Sequence, residues 1–238
     1  MDVEYQKRLL DVYRDGLLND TLPFWFPRCV DEDHGGFLLA RDRDGSLLDD
    51  DKGMWQQCRA TWLLATLYNS VESKSDWLKW AKSGLRFIER NGRDSDGRMW
   101  FHVTRDGTPL RKRRYVFTEC FGSIAYASLA KATGDSALAD TSRELFSLAK
   151  RHFFDPSLVA PKFTDTRPVK TIGAPMIQIV TAQELRLNLG DESFTADIDS
   201  AIEEIRQDFM KPDFECVMET VALDGSIIDH FEGRMLNP

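Results

Sequence analysis

The stretch MWQQCRATWLLATLYNSVESKSDWLKWAKSGLRFIERN, residues 54–91, sets the fold class of this 238-residue chain. Its first half, residues 54–70, has the length and apolar content of a strongly apolar helix. Its second half, residues 75–91, starts with Ser-Asp and stops at Asn-Gly, which are typical boundary signals of a helix. The stretch therefore predicts two consecutive helices with a short connection.

Helical periodicity continues on both sides of this pair. We expect five further helices, at residues 2–19, 117–133, 135–154, 172–189 and 194–210. Short hairpins built around Asp-Gly are expected between some of the helices, in GGFLLARDRDGSLL (35–48), GRMWFHVTRDGTPL (97–110) and CVMETVALDGSII (216–228). No linker-like stretch interrupts the pattern, so we expect residues 1–238 to form one all-α domain with short β-hairpins.

Charge and composition argue against several classes of partner. The formal net charge is -8 and the pI is about 5.1, whereas nucleic acids and anionic membranes attract basic proteins. No apolar run approaches the roughly 18 residues of a membrane span, and the N-terminus lacks the apolar core of a secretory signal. The four cysteines have no CxxC spacing, so we expect reduced thiols and a cytoplasmic location.

Two local motifs leave alternatives open. The only basic run is Arg111 to Arg114, which we interpret as a solvated loop or a set of local ion pairs, with contact to an anion as the alternative. The segment ARDRDGSLLDDD resembles a calcium loop, but its first ligand position is Ala40 and its last is Asp51 in place of the usual Glu. A hairpin turn explains that segment better.

The helix at 54–70 carries the first candidate site, in WQQCRATW. Trp55, Arg59 and Trp62 are spaced at i, i+4 and i+7 and so share one face. A guanidinium on a mostly apolar helix is costly to bury without an acceptor. Arg59 is therefore either paired with a core carboxylate or part of a sugar or acid site, in which the indoles cover the apolar face of the ligand.

Glu119, in FTECF, is the second candidate. It lies at the start of a helix, where the helix dipole stabilises a carboxylate. It is expected to cap that helix, to pair with Arg59 or to hydrogen-bond substrate hydroxyls.

The four histidines make no HxxxH or HxxE pair, and neither a GxSxG motif nor a glycine-rich phosphate loop occurs. We expect no metal and no cofactor.

Six motifs, in order along nearly the whole chain, resemble the N-acylglucosamine 2-epimerase family. That family includes renin-binding proteins, and mannose isomerases and cellobiose 2-epimerases are more distant relatives. The motifs are PFW…DEDHGGF…RDGSL (23–47), WQQCRATW (55–62), VTRDGTPL (103–110), YVFTECF (115–121), GAPM (173–176) and GRMLNP (233–238). TECF together with GAPM points to the N-acylglucosamine branch.

The resemblance implies a fold and an activity. The fold is an (α/α)6 barrel, with about twelve helices in two rings and short hairpins over one end; our count of about seven helices corresponds to an incomplete barrel. The activity interconverts N-acetylglucosamine and N-acetylmannosamine by removing and returning the proton at C2 of the ring-opened sugar. The expected partner is a small sugar, and a homodimer is an open alternative.

The resemblance also implies site residues. Arg59 matches a catalytic arginine of the family, and Phe117 matches an aromatic residue that lines the pocket. Weaker matches, expected to bind substrate, are Trp55, Glu119, Met176, Glu219 and Arg234.

One departure from the family affects the expected activity. After the Asn-Pro of GRMLNP the family continues with Gly-His-x-x-Glu, and it has a second catalytic histidine near its C-terminus. This chain stops before both, so we expect a truncated N-terminal part of the barrel that does not epimerise sugars alone. The alternatives are a non-catalytic protein or sugar binder and an (α/α)6 glycoside hydrolase using Glu119 and Glu219.

Overall fold

Helices form most of the backbone in the computed structural model, which describes residues 2–158, 163–230, 233 and 236. The helices are α1 (Val3–Asp15), α2 (Leu22–Trp25), α3 (Met54–Ser70), α4 (Ser75–Asn91), α5 (Phe117–Thr133), α6 (Ser136–Phe154), α7 (Gly173–Leu189) and α8 (Thr195–Glu204). All seven predicted helices are present within these residues.

Two of the predicted helices contain irregular turns. A π-helical segment, Gly16–Thr21, joins α1 to α2, so the first helical region runs six residues beyond its predicted end at residue 19, to Trp25. A second π-helical segment, Ile205–Phe209, extends α8 nearly to its predicted end. Periodicity predicts where helical backbone occurs but cannot separate a π-helical turn from an α-helical one.

The long helices pack in two layers. α5 packs against α3 and α7 on its two sides, and these three helices form one layer. α4, α6 and α8 form the second layer, each packed against the helix that precedes it in the chain. α4 is strongly amphipathic, because it buries Trp77, Ala81, Leu85 and Ile88 and exposes its polar residues.

α5 is the most buried helix and forms the centre of the packing. Its small residues allow close approach of the neighbouring elements. A Cβ added at Gly122 would lie 2.7 Å from the Met99 sulphur, so only glycine fits there without displacement of Met99.

The strands are short and all pair antiparallel. They are β1 (Ala40–Arg41), β2 (Leu47–Asp49), β3 (Lys52–Gly53), β4 (His102–Val103), β5 (Pro109–Arg111), β6 (Val169–Thr171), β7 (Met210–Lys211), β8 (Cys216–Val217) and β9 (Thr220–Ala222). Among the described residues they form the sheets β1-β2, β3-β4-β5, β6-β9 and β7-β8. β3 leads directly into α3, one residue separates β6 from α7, and five residues separate β5 from α5. Sheet structure therefore lies at the N-terminal end of the first helical layer.

The first two predicted hairpins are confirmed, as β1-β2 and β4-β5. The third is wrong. A turn does form at Asp224-Gly225, where the Ala222 amide donates to the Ser226 carbonyl, but β9 pairs with β6. Val221 is fully buried in a cluster with Ile172 and Phe209, and burial of this apolar contact favours the long-range pairing.

A buried ion network ties the sheet β3-β4-β5 to the segment after α2. Lys52 donates to Asp31 Oδ2 at 2.8 Å and to two backbone carbonyls, and both side chains are fully buried. Arg105 donates to both carboxylate oxygens of Asp31, at 3.0 and 2.9 Å. Burial raises the pKa of Asp31, but the hydrogen bonds from Arg105 and Lys52 outweigh burial and hold the pKa well below its usual value.

No helix in the described part of the chain combines the length and the apolar composition needed to cross a bilayer.

Candidate functional site

An aromatic cluster lies where the first helical layer meets the sheet β3-β4-β5. The Trp55 ring, in the first turn of α3, lies 6.0 Å from the Phe101 ring, 5.9 Å from Phe117 and 5.2 Å from Phe121. All four side chains are half-buried. The Trp55 indole nitrogen is buried and donates to no acceptor within the described structure. We call these four residues the aromatic cluster.

Arg59 lies one turn after Trp55 on α3, and its side chain is exposed. Its guanidinium carbon lies 5.4 Å from the centre of the Phe121 ring. No carboxylate among the described residues pairs with it, so the interpretation of Arg59 as part of a core ion pair does not hold there. An unpaired guanidinium beside aromatic rings can bind an oxygen of a ligand.

Trp62, which shares the face of Arg59, makes a contact that the sequence does not predict. Its indole nitrogen donates to Glu184 Oε2 of α7 at 2.8 Å, which links the two outer members of the α3-α5-α7 layer. Glu184 also accepts from the Asn188 side chain. The partner lies 122 residues away along the chain, so no local pattern indicates it.

Glu119, on α5, is buried and engaged in a structural pair. Its Oε1 accepts from Arg98 Nε at 2.5 Å and from the Met99 amide at 2.9 Å. Arg98 also donates to the carbonyls of Arg113 and Tyr115. The Glu119 side chain is 1% exposed, so in this structure it fixes the segment before α5, and its predicted partner Arg59 is replaced by Arg98.

The side chains of the basic run contact different aromatic rings. The guanidinium carbons of Arg111 and Arg113 lie 4.9 and 4.5 Å from the centre of the Phe101 ring. Lys112 instead packs on Trp100 and donates to Asp94 and Asp96, as a lysine in local ion pairs would. The interpretation as local ion pairs therefore holds for Lys112.

The remaining predicted residues lie toward α7. Met176, in its first turn, is 44% exposed. Glu219 precedes β9, is half-buried, and accepts from the Ile172 amide through its backbone carbonyl at 3.1 Å. The start of α7 lies against the aromatic cluster, since a Cβ added at Gly173 would lie 3.5 Å from the Phe117 ring. Arg234 lies outside the described residues.

The helices α3, α5 and α7 each begin without a hydrogen bond from a capping side chain. The same holds for α4 and α8, whereas Asp2 caps α1 and Asp135 caps α6. Uncapped amides carry partial positive charge. Together with Arg59, they make the region of the aromatic cluster a favourable environment for ligand oxygens.

The histidines are dispersed. His102, on β4, has its ring 6.3 Å from the Phe101 ring, and His34 lies in the loop after α2. His152 places Nδ1 2.9 Å from the Leu148 carbonyl on α6, and His230 has a buried Nε2 without a partner. In the part of the chain that the structure describes, no histidine contacts Arg59.

One acidic group has ligand atoms close together. The carboxylates of Asp49, Asp50 and Asp51 lie within 4.8 Å of one another. They are consecutive residues and mostly exposed, which is common without an ion, and we assign none.

Comparison with known proteins supports a single family. The sequence profile of a family described as N-acylglucosamine 2-epimerase (GlcNAc 2-epimerase) matches residues 35–238. The N-acylglucosamine 2-epimerase of Mus musculus is 29% identical over 99% of this chain and 59% of its own length. The human protein of the same description is 26% identical over 100% of this chain and 58% of its own length. The chain thus spans less than two-thirds of these relatives.

A solved structure gives the same fold. Cellobiose 2-epimerase from Bacillus thermoamylovorans superposes with a TM-score of 0.82 at 18% identity, covering 93% of this chain and 61% of that one. The likeness confirms the predicted fold class, with this chain corresponding to part of an (α/α)6 barrel.

Proposed function

The chain belongs to the N-acylglucosamine 2-epimerase family, and we propose that it forms the aromatic and arginine-bearing wall of a site for C2 epimerisation of N-acetylglucosamine and N-acetylmannosamine. The observation that carries the proposal is the position of Arg59. Its exposed guanidinium has no carboxylate partner among the described residues and lies beside the aromatic cluster. The mouse and human relatives are N-acylglucosamine 2-epimerases, which supports the choice of sugar.

The chemistry assigns a role to each part of this wall. Removal of the C2 proton from a ring-opened sugar leaves negative charge on the carbonyl oxygen, and a fixed cation stabilises that enolate. Arg59 supplies the cation. The rings of Trp55 and Phe117 cover the apolar face of the sugar, and Glu119 positions the start of α5 through Arg98. Met176, Glu219 and Arg234 stay weaker assignments to substrate binding.

Epimerisation also needs two groups of near-neutral pKa on opposite faces of C2, and histidine suits both. The described histidines do not supply them, because none contacts Arg59. We therefore propose that the 238-residue chain binds the sugar without interconverting the epimers, as the N-terminal part of a barrel whose acid and base lie on residues other than these.

Binding and turnover can be tested separately. Isothermal titration of N-acetylmannosamine into the wild-type chain and into Arg59→Gln should show binding that the substitution weakens by about tenfold, the worth of one charge-assisted hydrogen bond. Arg86→Gln is the matched control, because Arg86 is also an exposed arginine and lies on α4 of the other layer. Equal effects of the two substitutions would remove Arg59 from the site.

Turnover is measured by NMR in D2O, where proton removal at C2 exchanges hydrogen for deuterium. We expect no exchange and no interconversion with the purified chain. Epimer formation that Arg59→Gln abolishes would contradict the proposed lack of activity while retaining Arg59 as a catalytic residue.

The alternative is a non-catalytic role in which two copies of the chain bind each other. One observation favours it. α1 exposes several apolar side chains, namely Val3, Leu10, Val12 and Tyr13, and α7 exposes Val180 and Leu187. Exposed apolar patches mark association surfaces. Light scattering should then give the mass of a dimer, and a monomer across the accessible concentration range would exclude this role.

A glycoside hydrolase gains no support. Such an enzyme needs two carboxylates that flank one bond of the substrate, and Glu119 is buried against Arg98.

We also propose a cytoplasmic location, since all four cysteines are free and three are buried. Fractionation of the source cells tests it; recovery of the protein outside the cytoplasm would exclude it.

A further inference from the structure

Two arginines of the basic run combine an unpaired charge with a contact to the same aromatic ring. Arg111 and Arg113 both place the guanidinium on the Phe101 ring. Neither guanidinium has a hydrogen bond or an ion pair among the described residues, and the buried Nε of Arg113 has no acceptor. A buried donor without an acceptor costs free energy unless something else supplies the oxygen.

The acidic residues that contact this run pair with Lys112 and not with the arginines. Lys112, between them, takes Asp94 and Asp96 as partners, at 2.5 and 2.8 Å. The chain is also acidic overall, with a net charge of -8. Arg111 and Arg113 are thus cations without a counter-ion in the described structure of an acidic protein.

The backbone that carries Arg113 is held in place. Arg98 donates to the carbonyls of Arg113 and Tyr115, at 3.1 and 3.2 Å, and Glu119 fixes Arg98 from the other side. A binding group on a fixed backbone loses less conformational freedom when it binds a ligand.

Phe101 connects these arginines to the candidate sugar site, because its ring lies 6.0 Å from that of Trp55. Arg59, Arg111, Arg113 and the Trp55 indole nitrogen are all donors, and none of them has an acceptor in the described structure. The unpartnered Glu119 Oε2 is an acceptor, but that side chain is buried against Arg98. Donors without acceptors select ligands that only accept, and arginine forks match phosphate and carboxylate.

We propose that Arg111 and Arg113 bind an anionic substituent, a phosphate monoester or a carboxylate, on a sugar whose ring lies against the aromatic cluster. The inference rests on the proposed function, because the sugar ring occupies the same site. It adds to that function a preference for charged over neutral sugars, and it makes Arg111 and Arg113 specificity-determining residues.

Four ligands and three variants test the inference by isothermal titration at one fixed salt concentration. The ligands are N-acetylglucosamine, N-acetylglucosamine 6-phosphate, glucuronate and inorganic phosphate. The variants are Arg111→Gln, Arg113→Gln and, as the matched control, Arg114→Gln. Arg114 belongs to the same run and is exposed, and no contact of its side chain with Phe101 is found in the described structure.

We expect at least one anionic sugar to bind the wild-type chain about tenfold more tightly than N-acetylglucosamine, and Arg111→Gln and Arg113→Gln each to remove most of that advantage. Both variants should lower the affinity for the anionic sugar more than the affinity for the neutral sugar, and Arg114→Gln should change neither affinity. The phosphate and carboxylate arms identify which substituent is preferred.

Three results separate this inference from the proposed function. Equal affinity for charged and neutral sugars, or an equal loss in Arg114→Gln, overturns the anion site and retains the sugar site. Binding of inorganic phosphate through Arg111 and Arg113 without binding of any sugar retains the anion group and overturns the sugar site. Binding of none of the four ligands overturns both.

Discussion

The sheet β3-β4-β5 carries two groups of cations with opposite surroundings. Lys52 and Arg105 converge on Asp31, and every charge of that group is paired. Arg111 is the last residue of β5, and Arg113 follows two residues later. Both arginines lie on the Phe101 ring, and no described carboxylate pairs with them.

The difference shows which cations serve stability. A buried charge is tolerated only with a partner, because its desolvation is costly, and Lys52 meets that condition. Arg111 is exposed and Arg113 half-exposed, so water lowers the cost of leaving them unpaired. Positions where a fold can leave a cation without a counter-ion are the positions at which a ligand can supply one.

Removal of the acid at the centre of the paired group has the largest expected effect. Asp31→Ala should lower the free energy of unfolding by about 3–5 kcal/mol, because Lys52 remains buried without an anion. Urea unfolding followed by tryptophan fluorescence measures it. Asp33→Ala is the control, since Asp33 is exposed and binds only Arg105, and it should cost no more than about 1 kcal/mol. Equal costs would show that Lys52 does not depend on Asp31.

Loss of the Glu119 carboxylate, which pairs with Arg98, should have the second-largest effect on the free energy of unfolding. Glu119→Gln should cost about 2–3 kcal/mol, less than Asp31→Ala, because Arg98 keeps carbonyl acceptors after losing its carboxylate. Glu144→Gln removes the exposed partner of Arg93 and should cost no more than about 1 kcal/mol. The same urea titration compares the two variants. A loss of Arg113-dependent anion binding in Glu119→Gln would show that the Glu119–Arg98 pair positions Arg113 for binding.

Acid should weaken the paired group in a defined direction. The pKa of Asp31 is lowered in the folded chain, so its contribution is complete above the unfolded pKa, about 3.9, and declines as pH falls below that value. The stability advantage of wild type over Asp31→Asn should therefore shrink by at most about 1.4 kcal/mol per pH unit below pH 4. Urea titrations at several pH values measure it, and an advantage that grows on acidification would contradict the lowered pKa.

Substitution of the unpaired arginines should have the smallest effect on stability. Arg111→Gln and Arg113→Gln each lose one cation–π contact with Phe101 and should change the free energy of unfolding by no more than about 1 kcal/mol. Thermal melting in phosphate-free buffer measures this. A cost as large as that of Asp31→Ala would mean that these arginines hold the fold together.

Much of the fold could be predicted from the sequence, because its signals are local. α3, α4 and α5 match their predicted ranges to the residue, since apolar periodicity and the stop signals at Gly92 and Gly134 act within a few residues. The two Asp-Gly hairpins at residues 45 and 107 formed for the same reason.

The candidate site could be predicted only in part, because its geometry depends on distant partners. Arg59 and Trp55 are one helical turn apart, so their proximity was predictable. The partners of Glu119 and Trp62 were not, since Arg98 and Glu184 reach them through the packing of separate elements. The pairing of β9 with β6 depends in the same way on burial of Val221.

The two-layer arrangement also bears on how the chain reaches its folded state. α3 and α4, α5 and α6, and α7 and α8 are neighbours both along the chain and in space, so much of the packing closes only short loops. Low contact order of this kind favours fast formation of each helical pair before the layers assemble. The Trp62–Glu184 hydrogen bond, which joins the first helical pair to the third, should form late, and its formation reports when the α3-α5-α7 layer is complete.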